Sequence, residues 1–156
     1  MEPAQVFGAQ FFGSLVLWWI VVSLWIGPAV RDWSDTDRLA LWTTPLVLRY
    51  LGLGLLVPQL APGLDADFSR NTAIGDAATS VLAVVAVVGL RRGFAPARAF
   101  AFAAHLVGSI DLCIALPHAV LVGAATHLHG QWFVPAVIVP LMIHAHVMGW
   151  RTLLRR

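Results

Sequence analysis

The chain alternates between long apolar runs and short polar breaks. Three breaks are clear, at residues 31–38 (RDWSDTDR), 61–71 (APGLDADFSRN) and 91–93 (RRG), and a softer one lies at 126–131 (THLHGQ). Most of the apolar runs between them are about 20 residues or longer, which is the length an α-helix needs to cross ~30 Å of hydrocarbon. The pattern therefore predicts an all-α bundle of five transmembrane helices.

We expect these five helices to form a single transmembrane domain. A four-helix alternative would merge the last two runs into one helix of 58 residues, which is far too long for a bilayer. Prolines inside the runs are expected to kink the helices because each removes a backbone hydrogen bond. The predicted spans cover about residues 7–30, 39–60, 72–90, 97–125 and 132–154.

The composition supports the same class of protein. Of 156 residues, 59% are hydrophobic and only 12% are charged, and the mean hydropathy is +0.80. A soluble domain of this size does not carry so much apolar surface, so the first partner of the chain is the lipid bilayer. The predicted helices use almost all of the residues and leave none for a separate soluble domain.

The arginines are distributed unevenly between the two sides of the predicted bundle. Arg70 alone falls on the side of the N-terminus, and eight arginines fall on the opposite side. By the positive-inside rule, the C-terminus is cytoplasmic and the N-terminus lies outside, in a multi-pass protein of the inner (cytoplasmic) membrane. This asymmetry also explains the pI of about 9.5 without a nucleic-acid partner. The eight are Arg31, Arg38, Arg91, Arg92, Arg98, Arg151, Arg155 and Arg156.

Seven ionisable residues remain inside the predicted spans. Such groups cost several kcal/mol each at membrane depth and almost always face the bundle interior. At 1.5 Å per residue, Arg49, Asp111, His144 and His146 reach a common layer ~16–21 Å below the outer boundary, while His118 lies ~10 Å and Asp76 only ~6 Å down. We therefore predict a catalytic set of Asp111, His146, His144, His118 and Arg49, with Asp76 and His105 as further ligand-binding residues.

The helical period decides which of these side chains can meet. Asp111 and His118 are seven residues apart and share one face of a helix, whereas His144 and His146 point in nearly opposite directions. Only one of the two histidines can therefore face Asp111, and its depth favours His146. We expect Arg49 to contact Asp111 or Asp76. The structural alternative is that these residues only hold helices together.

An aromatic stripe runs along the first predicted helix. Phe11, Trp18 and Trp25 recur every seven residues and so lie on one face. Two interpretations remain open, a packing or lipid-facing stripe and one wall of a pocket for a flat hydrophobic molecule. On the second interpretation these three residues bind the ligand.

The HLH triplet at 127–129 is a separate candidate. In an extended turn, His127 and His129 lie on one side and could hold Cu(II) or Zn(II) together with Asp65 or Asp67. The ordinary alternative is a pair of solvated loop histidines.

Three stretches carry a resemblance. GDAATSVLAVVAV, LVGSIDL and FVPAVIVPLMIHAHV, which span about the last half of the chain, resemble small uncharacterised bacterial five-span membrane proteins. That resemblance implies a five-span fold and no function. The span count and the aromatic, acid–histidine interior are also similar in general terms to emopamil-binding-type sterol isomerases, although no motif of that family aligns. No motif of an established catalytic class occurs.

Several functions are compatible with this pattern. The first is binding of a lipophilic ligand (an isoprenoid, a sterol-like lipid or a quinone), with acid–base chemistry by a histidine held by Asp111. The second is a b-type haem or electron-transfer subunit with histidine ligands from facing spans. The others are a proton-coupled transporter using Arg49, Asp76, Asp111 and His118 as a relay, and an accessory subunit of a homo-oligomer or larger membrane complex.

Overall fold

The computed structural model describes residues 2–155. Within them the chain forms five long helices and no strand, and each helix is long and apolar enough to cross a membrane. The prediction of an all-α bundle of five potential spans is confirmed. The helices are α1 (Pro3–Ala29), α2 (Asp35–Leu56), α3 (Ala66–Arg92), α4 (Ala97–Leu121) and α5 (His129–Leu153).

Helix α2 changes type where its sequence contains proline. It is an α-helix over Asp35–Thr43 and a 3₁₀-helix over Thr44–Leu56, with Pro45 near the start of the 3₁₀ segment. Proline has no N–H to donate to the carbonyl four residues earlier, which favours a change of helix type at this point. The 3₁₀ segment rises ~2 Å per residue, so α2 is longer for its residue count than a regular α-helix.

The prolines in the other helices differ in whether the helix type changes beside them. Helix α5 contains a π-helical turn at Val134–Ile138, which includes Pro135, and becomes a regular α-helix at Val139–Leu153, with Pro140 in its first turn. Helix α4, in contrast, stays α-helical through Pro117. The expected interruptions therefore occur in α2 and α5, and the helix type does not change in α4.

Helix α3 begins earlier than the hydrophobic pattern suggests. Asp65 caps it, with Oδ1 accepting a hydrogen bond from the Phe68 N–H at 2.7 Å. The polar residues that follow form the first turns, so the helix starts at Ala66 instead of residue 72. Asp76 is ten residues into this helix, at a depth of ~15 Å. The shallow position predicted for Asp76 is wrong.

Helices α2 to α5 form the packed part of the bundle. Helix α3 lies between α2 and α4 and contacts both along much of its length. Buried alanines on the two facing helices, Ala83 and Ala86 in α3 and Ala101 and Ala104 in α4, allow close approach. Small residues at such interfaces let backbones pack tightly inside a membrane.

Helix α1 is peripheral. No residue of Pro3–Val21 is buried, and the helix packs mainly against α5. Two tryptophan N–H groups connect it to that neighbour. Trp18 Nε1 donates to the Val137 carbonyl at 3.1 Å, and Trp132 Nε1 donates to Gln10 Oε1 at 2.5 Å. Because α1 contacts the bundle chiefly along α5, a space remains between α1 and the other helices.

Short loops make successive helices alternate in direction, so the bundle has two distinct sides. We call the side where α1 begins the N-terminal side, and the loops at 57–65 and 122–128 lie there. The opposite, C-terminal side carries exposed ion pairs, including Arg91 Nη1 to Asp37 Oδ1 at 2.5 Å.

Candidate functional site

A cavity of about 500 Å³ opens between the helices on the N-terminal side. All five helices and the loop before α5 contribute to its walls, which are mainly aliphatic and aromatic. Phe7 and Phe11 come from α1, and Phe68 comes from α3. Among the residues described, the charged side chains that line the cavity are Arg49 and Asp76 and Asp111. The apolar cavity therefore has one charged cluster, formed by Arg49, Asp76 and Asp111, which we call the Arg–Asp triad.

The triad is joined by direct hydrogen bonds from the guanidinium. Arg49 Nε donates to Asp76 Oδ1 at 2.7 Å, and Nη2 donates to Asp111 Oδ2. Nη1 donates to the Gly108 carbonyl at 3.1 Å. The expectation that Arg49 contacts Asp111 or Asp76 is confirmed, since it contacts both. One cation on α2 thus connects α3 and α4.

The three residues meet because they lie equally far from their helix ends on the N-terminal side. Arg49 is seven residues from Leu56, which is ~14 Å along a 3₁₀-helix. Asp76 is ten residues from Ala66, and Asp111 is ten residues from Leu121, which is ~15 Å for each α-helix.

Two glycines make room for the carboxylates. A Cβ at Gly52 in α2 would overlap the Asp76 carboxylate, and a Cβ at Gly75 in α3 would overlap that of Asp111. Each carboxylate therefore lies against the bare backbone of a neighbouring helix. The position of the triad depends on these close approaches.

His146 does not contact Asp111, so that predicted pairing is wrong. Its Nδ1 lies 3.1 Å from His105 Nδ1 and 3.3 Å from Ser109 Oγ. His105 is 16 residues from Leu121 and His146 is 17 residues from His129, which puts both ~24–26 Å from the N-terminal side. By residue count their Cα atoms lie about 10 Å below those of the triad, in a second polar layer that we call the histidine layer. The His146 ring extends toward Gly108, whose carbonyl accepts from Arg49.

Hydrogen-bond donors and acceptors fix the tautomers of the histidine layer when both rings are neutral. Thr43 Oγ1 donates to the Leu39 carbonyl at 2.7 Å, so it accepts from His105 Nε2 at 3.3 Å. His105 Nδ1 is then an acceptor and His146 Nδ1 the donor. His146 Nε2 remains a buried acceptor without a partner in the described chain, close to Gly108.

The same contact argues against haem between these histidines. An iron ion with two histidine ligands lies between their imidazoles. The rings of His105 and His146 instead touch, with centroids 5.1 Å apart. The geometry leaves no room for a porphyrin there.

Two other predicted site histidines lie elsewhere. The ring of His118 packs edge-on against Phe68, with centroids 5.4 Å apart, and no hydrogen bond joins it to Asp111 within residues 2–155. His144 Nδ1 donates to the Pro140 carbonyl of its own helix at 2.8 Å. His146 is buried in the bundle and His144 is half-buried, and neither contacts Asp111 as predicted for one of them.

The aromatic stripe divides into three environments. Phe11 lines the cavity, as the pocket interpretation requires. Trp18 packs on α5 through its hydrogen bond to Val137, and Trp25 is 69% exposed. Neither tryptophan is among the cavity-lining residues, so their assignment to the ligand site is not supported.

The HLH loop does not assemble a metal site. His127 Nδ1 donates to the Pro62 carbonyl at 3.2 Å, His129 is exposed, and Asp65 is occupied in capping α3. Across the part of the chain that the structure describes, no three His, Cys, Asp or Glu side chains gather closely enough to hold a metal ion.

Most residues of the cavity walls were not predicted from the sequence, although a signal for some of them exists. Phe68, Thr72 and Asp76 recur every four residues, as do Asp111 and Ala115, and all five line the cavity. Following the helix face of each buried carboxylate toward the N-terminal side would have identified them.

The chain belongs to a family described as a domain of unknown function, DUF8737, whose model matches residues 6–154. No curated protein and no solved structure matches the chain.

Proposed function

We propose that this DUF8737 member binds a lipophilic small molecule in the cavity, with the Arg–Asp triad contacting the polar end of the ligand. One observation supports this most directly. The described walls of a 500 Å³ cavity are largely apolar, and their charged residues are confined to one partly open cluster. Ligand pockets commonly measure ~300–1,000 Å³ and combine apolar walls with a few convergent polar groups.

The ligand enters from the membrane, between α1 and α4. Phe12 on α1 and Val120 on α4 both line the cavity, and they are 67% and 81% exposed. The cavity wall is therefore continuous with the surface that faces lipid. A molecule dissolved in the bilayer can reach the triad without crossing water.

The proposal is for binding and does not include catalysis. The proton shuttle expected from the sequence needs a histidine beside Asp111, and His146 contacts His105 and Ser109 instead. The carboxylates of the triad are the titratable groups that line the cavity in the described chain.

We further propose that the protein lies in the cytoplasmic membrane of a bacterium, with the cavity in the outer half of the bilayer. The support for this orientation is the excess of eight arginines over one toward the C-terminal side. Reporter fusions to the two termini test this orientation. We expect the N-terminal fusion to report the outside and the C-terminal fusion the cytoplasm, and the reverse result would contradict it.

Filling the cavity tests the binding function. A side chain added at Gly8, which lines the cavity, or at Gly13, which does not, meets no atom within 4 Å of its Cβ. Both glycines lie in α1, so Gly13→Trp is a matched control for Gly8→Trp. We expect wild type and Gly13→Trp to purify with a lipophilic molecule detectable by mass spectrometry. Gly8→Trp should retain about tenfold less of it, equivalent to ~1.4 kcal/mol.

Equal contents in all three proteins would contradict the proposal. Absence of any molecule enriched over bulk lipid in the wild type would contradict it as well.

A further inference from the structure

We infer that the ligand carries a cationic, hydrogen-bond-donating head group, namely an amine, on an apolar body. This inference rests on the proposed binding function and specifies the ligand class for the same cavity. It follows from the balance of charges and hydrogen-bond donors in the triad.

The triad contains more negative than positive charge. Two carboxylates share one guanidinium, so the cluster has a formal charge of −1 when both acids are ionised. No second cation lines the cavity among the described residues, and the sequence contains no lysine. An unbalanced charge in an apolar cavity is costly, and the cost is removed either by protonation of one carboxyl group or by a cation that enters the cavity.

Of the charged groups that line the cavity, the two carboxylates are the more exposed, and they accept hydrogen bonds. The Arg49 side chain is 2% exposed, whereas the side chains of Asp76 and Asp111 are 12% and 13% exposed. Each acid uses one oxygen for Arg49, Oδ1 of Asp76 and Oδ2 of Asp111. In the described chain neither remaining oxygen accepts a protein hydrogen bond, and each lies against a glycine. A ligand that donates hydrogen bonds therefore complements the site.

An ammonium group fits this site better than the other common head groups of lipophilic molecules. It supplies three N–H donors and one positive charge, which brings the formal charge of the cluster to zero. A hydroxyl group supplies one donor and leaves the charge unbalanced. A carboxylate or phosphate adds negative charge next to two carboxylates, where the low dielectric strengthens repulsion.

Three probes with one apolar body test the head group. They are 1-aminoadamantane, 1-adamantanol and 1-adamantanecarboxylate, applied at neutral pH to the full-length protein in lipid nanodiscs. Gly8→Trp nanodiscs measure partitioning into lipid, which is subtracted. We expect the amine to bind at least about tenfold more tightly than the alcohol, and the carboxylate to show no binding above the Gly8→Trp background.

The variant Asp111→Asn separates charge from shape. The amide keeps an acceptor oxygen but removes one negative charge, so the amine should lose at least about tenfold in affinity while the alcohol changes little. Retained binding of the alcohol also shows that the variant is folded. If Asp111→Asn does not fold, Asp76→Asn provides the same comparison from the other acid.

The outcomes distinguish the inference from the function on which it rests. Tighter binding of the alcohol or the carboxylate than of the amine, or an unchanged preference in both Asn variants, overturns the assignment of an amine. If no probe binds the wild type above the Gly8→Trp background, the proposed cavity function fails with it.

Discussion

The triad and the histidine layer are two polar clusters inside the same bundle, with Cα atoms about 10 Å apart along the helix axes. Both use glycines to bring polar side chains close to neighbouring backbone. Gly75 accommodates Asp111 in the triad, and Gly149 accommodates the His105 ring in the histidine layer. They differ in access, because the carboxylates border a cavity and His105 is completely buried.

The two clusters also differ in hydrogen-bond balance, and this difference supports the proposal that a ligand binds at the triad and not at the histidine layer. In the histidine layer Thr43 Oγ1 accepts from His105 Nε2, and Ser109 Oγ accepts from His146 Nδ1. Trp150 Nε1 donates to Ser109 Oγ at 3.1 Å. The protein itself satisfies that layer apart from one nitrogen. The triad borders a cavity, and one oxygen of each carboxylate accepts no hydrogen bond within the described chain. Replacing residues in each layer tests this contrast.

The largest effect is expected from Arg49→Leu. This change leaves two carboxylates inside the bundle without their cation, and removing one partner of a buried ion pair typically costs ~3–5 kcal/mol. Unfolding in mild denaturant should show a loss of that size. The exposed pair formed by Arg91 and Asp37 supplies the control, and Arg91→Leu should cost less than about 1 kcal/mol.

A cluster of three charges also predicts that further substitutions recover part of the stability lost in Arg49→Leu. Adding Asp111→Leu to Arg49→Leu should restore part of the stability, and adding Asp76→Leu as well should restore more. If the double and triple variants are no more stable than the sum of their single changes, the three residues do not act as one cluster.

A smaller loss is expected from Gly149→Ala in the histidine layer. The new Cβ would overlap the His105 ring, which has no free space to move into, and such overpacking usually costs ~1–3 kcal/mol. At Gly13 the same substitution meets no atom within 4 Å and should be neutral or slightly stabilising in a helix. Comparing thermal midpoints of the two variants checks this, and equal midpoints would contradict the close packing of the lower layer.

Much of the fold could be predicted because the length of each apolar run indicates whether it can form a membrane-spanning helix. The contact between Arg49 and an acid also followed, since an isolated charge inside a bundle requires a partner. The level of Asp76 did not follow from hydropathy. The polar first turns of α3 look like a loop by composition, and only the Asp65 cap indicates that the helix already begins there.

The partner of His146 and the cavity depended on geometry that residue spacing does not contain. A uniform rise of 1.5 Å from an assumed boundary gave Asp111 and His146 the same depth, but the actual ends of α4 and α5 place them on different levels. The cavity arises because α1 packs mainly on α5, and no motif in α1 specifies that contact.

The smallest effect is expected from His146→Leu, which provides the sharpest contrast with Asp111→Asn. The leucine loses the hydrogen bond to His105 but also removes a buried nitrogen that has no partner, and these two terms of ~1 kcal/mol oppose each other. Stability should therefore change by less than about 1 kcal/mol, and the content of bound lipophilic molecule should match wild type.

The variant carrying His127→Ala and His129→Ala should also keep its ligand, while Asp111→Asn should lose it if that ligand is the inferred amine. Loss of ligand from the loop variant or from His146→Leu, with retention in Asp111→Asn, would show that the ligand does not bind at the triad.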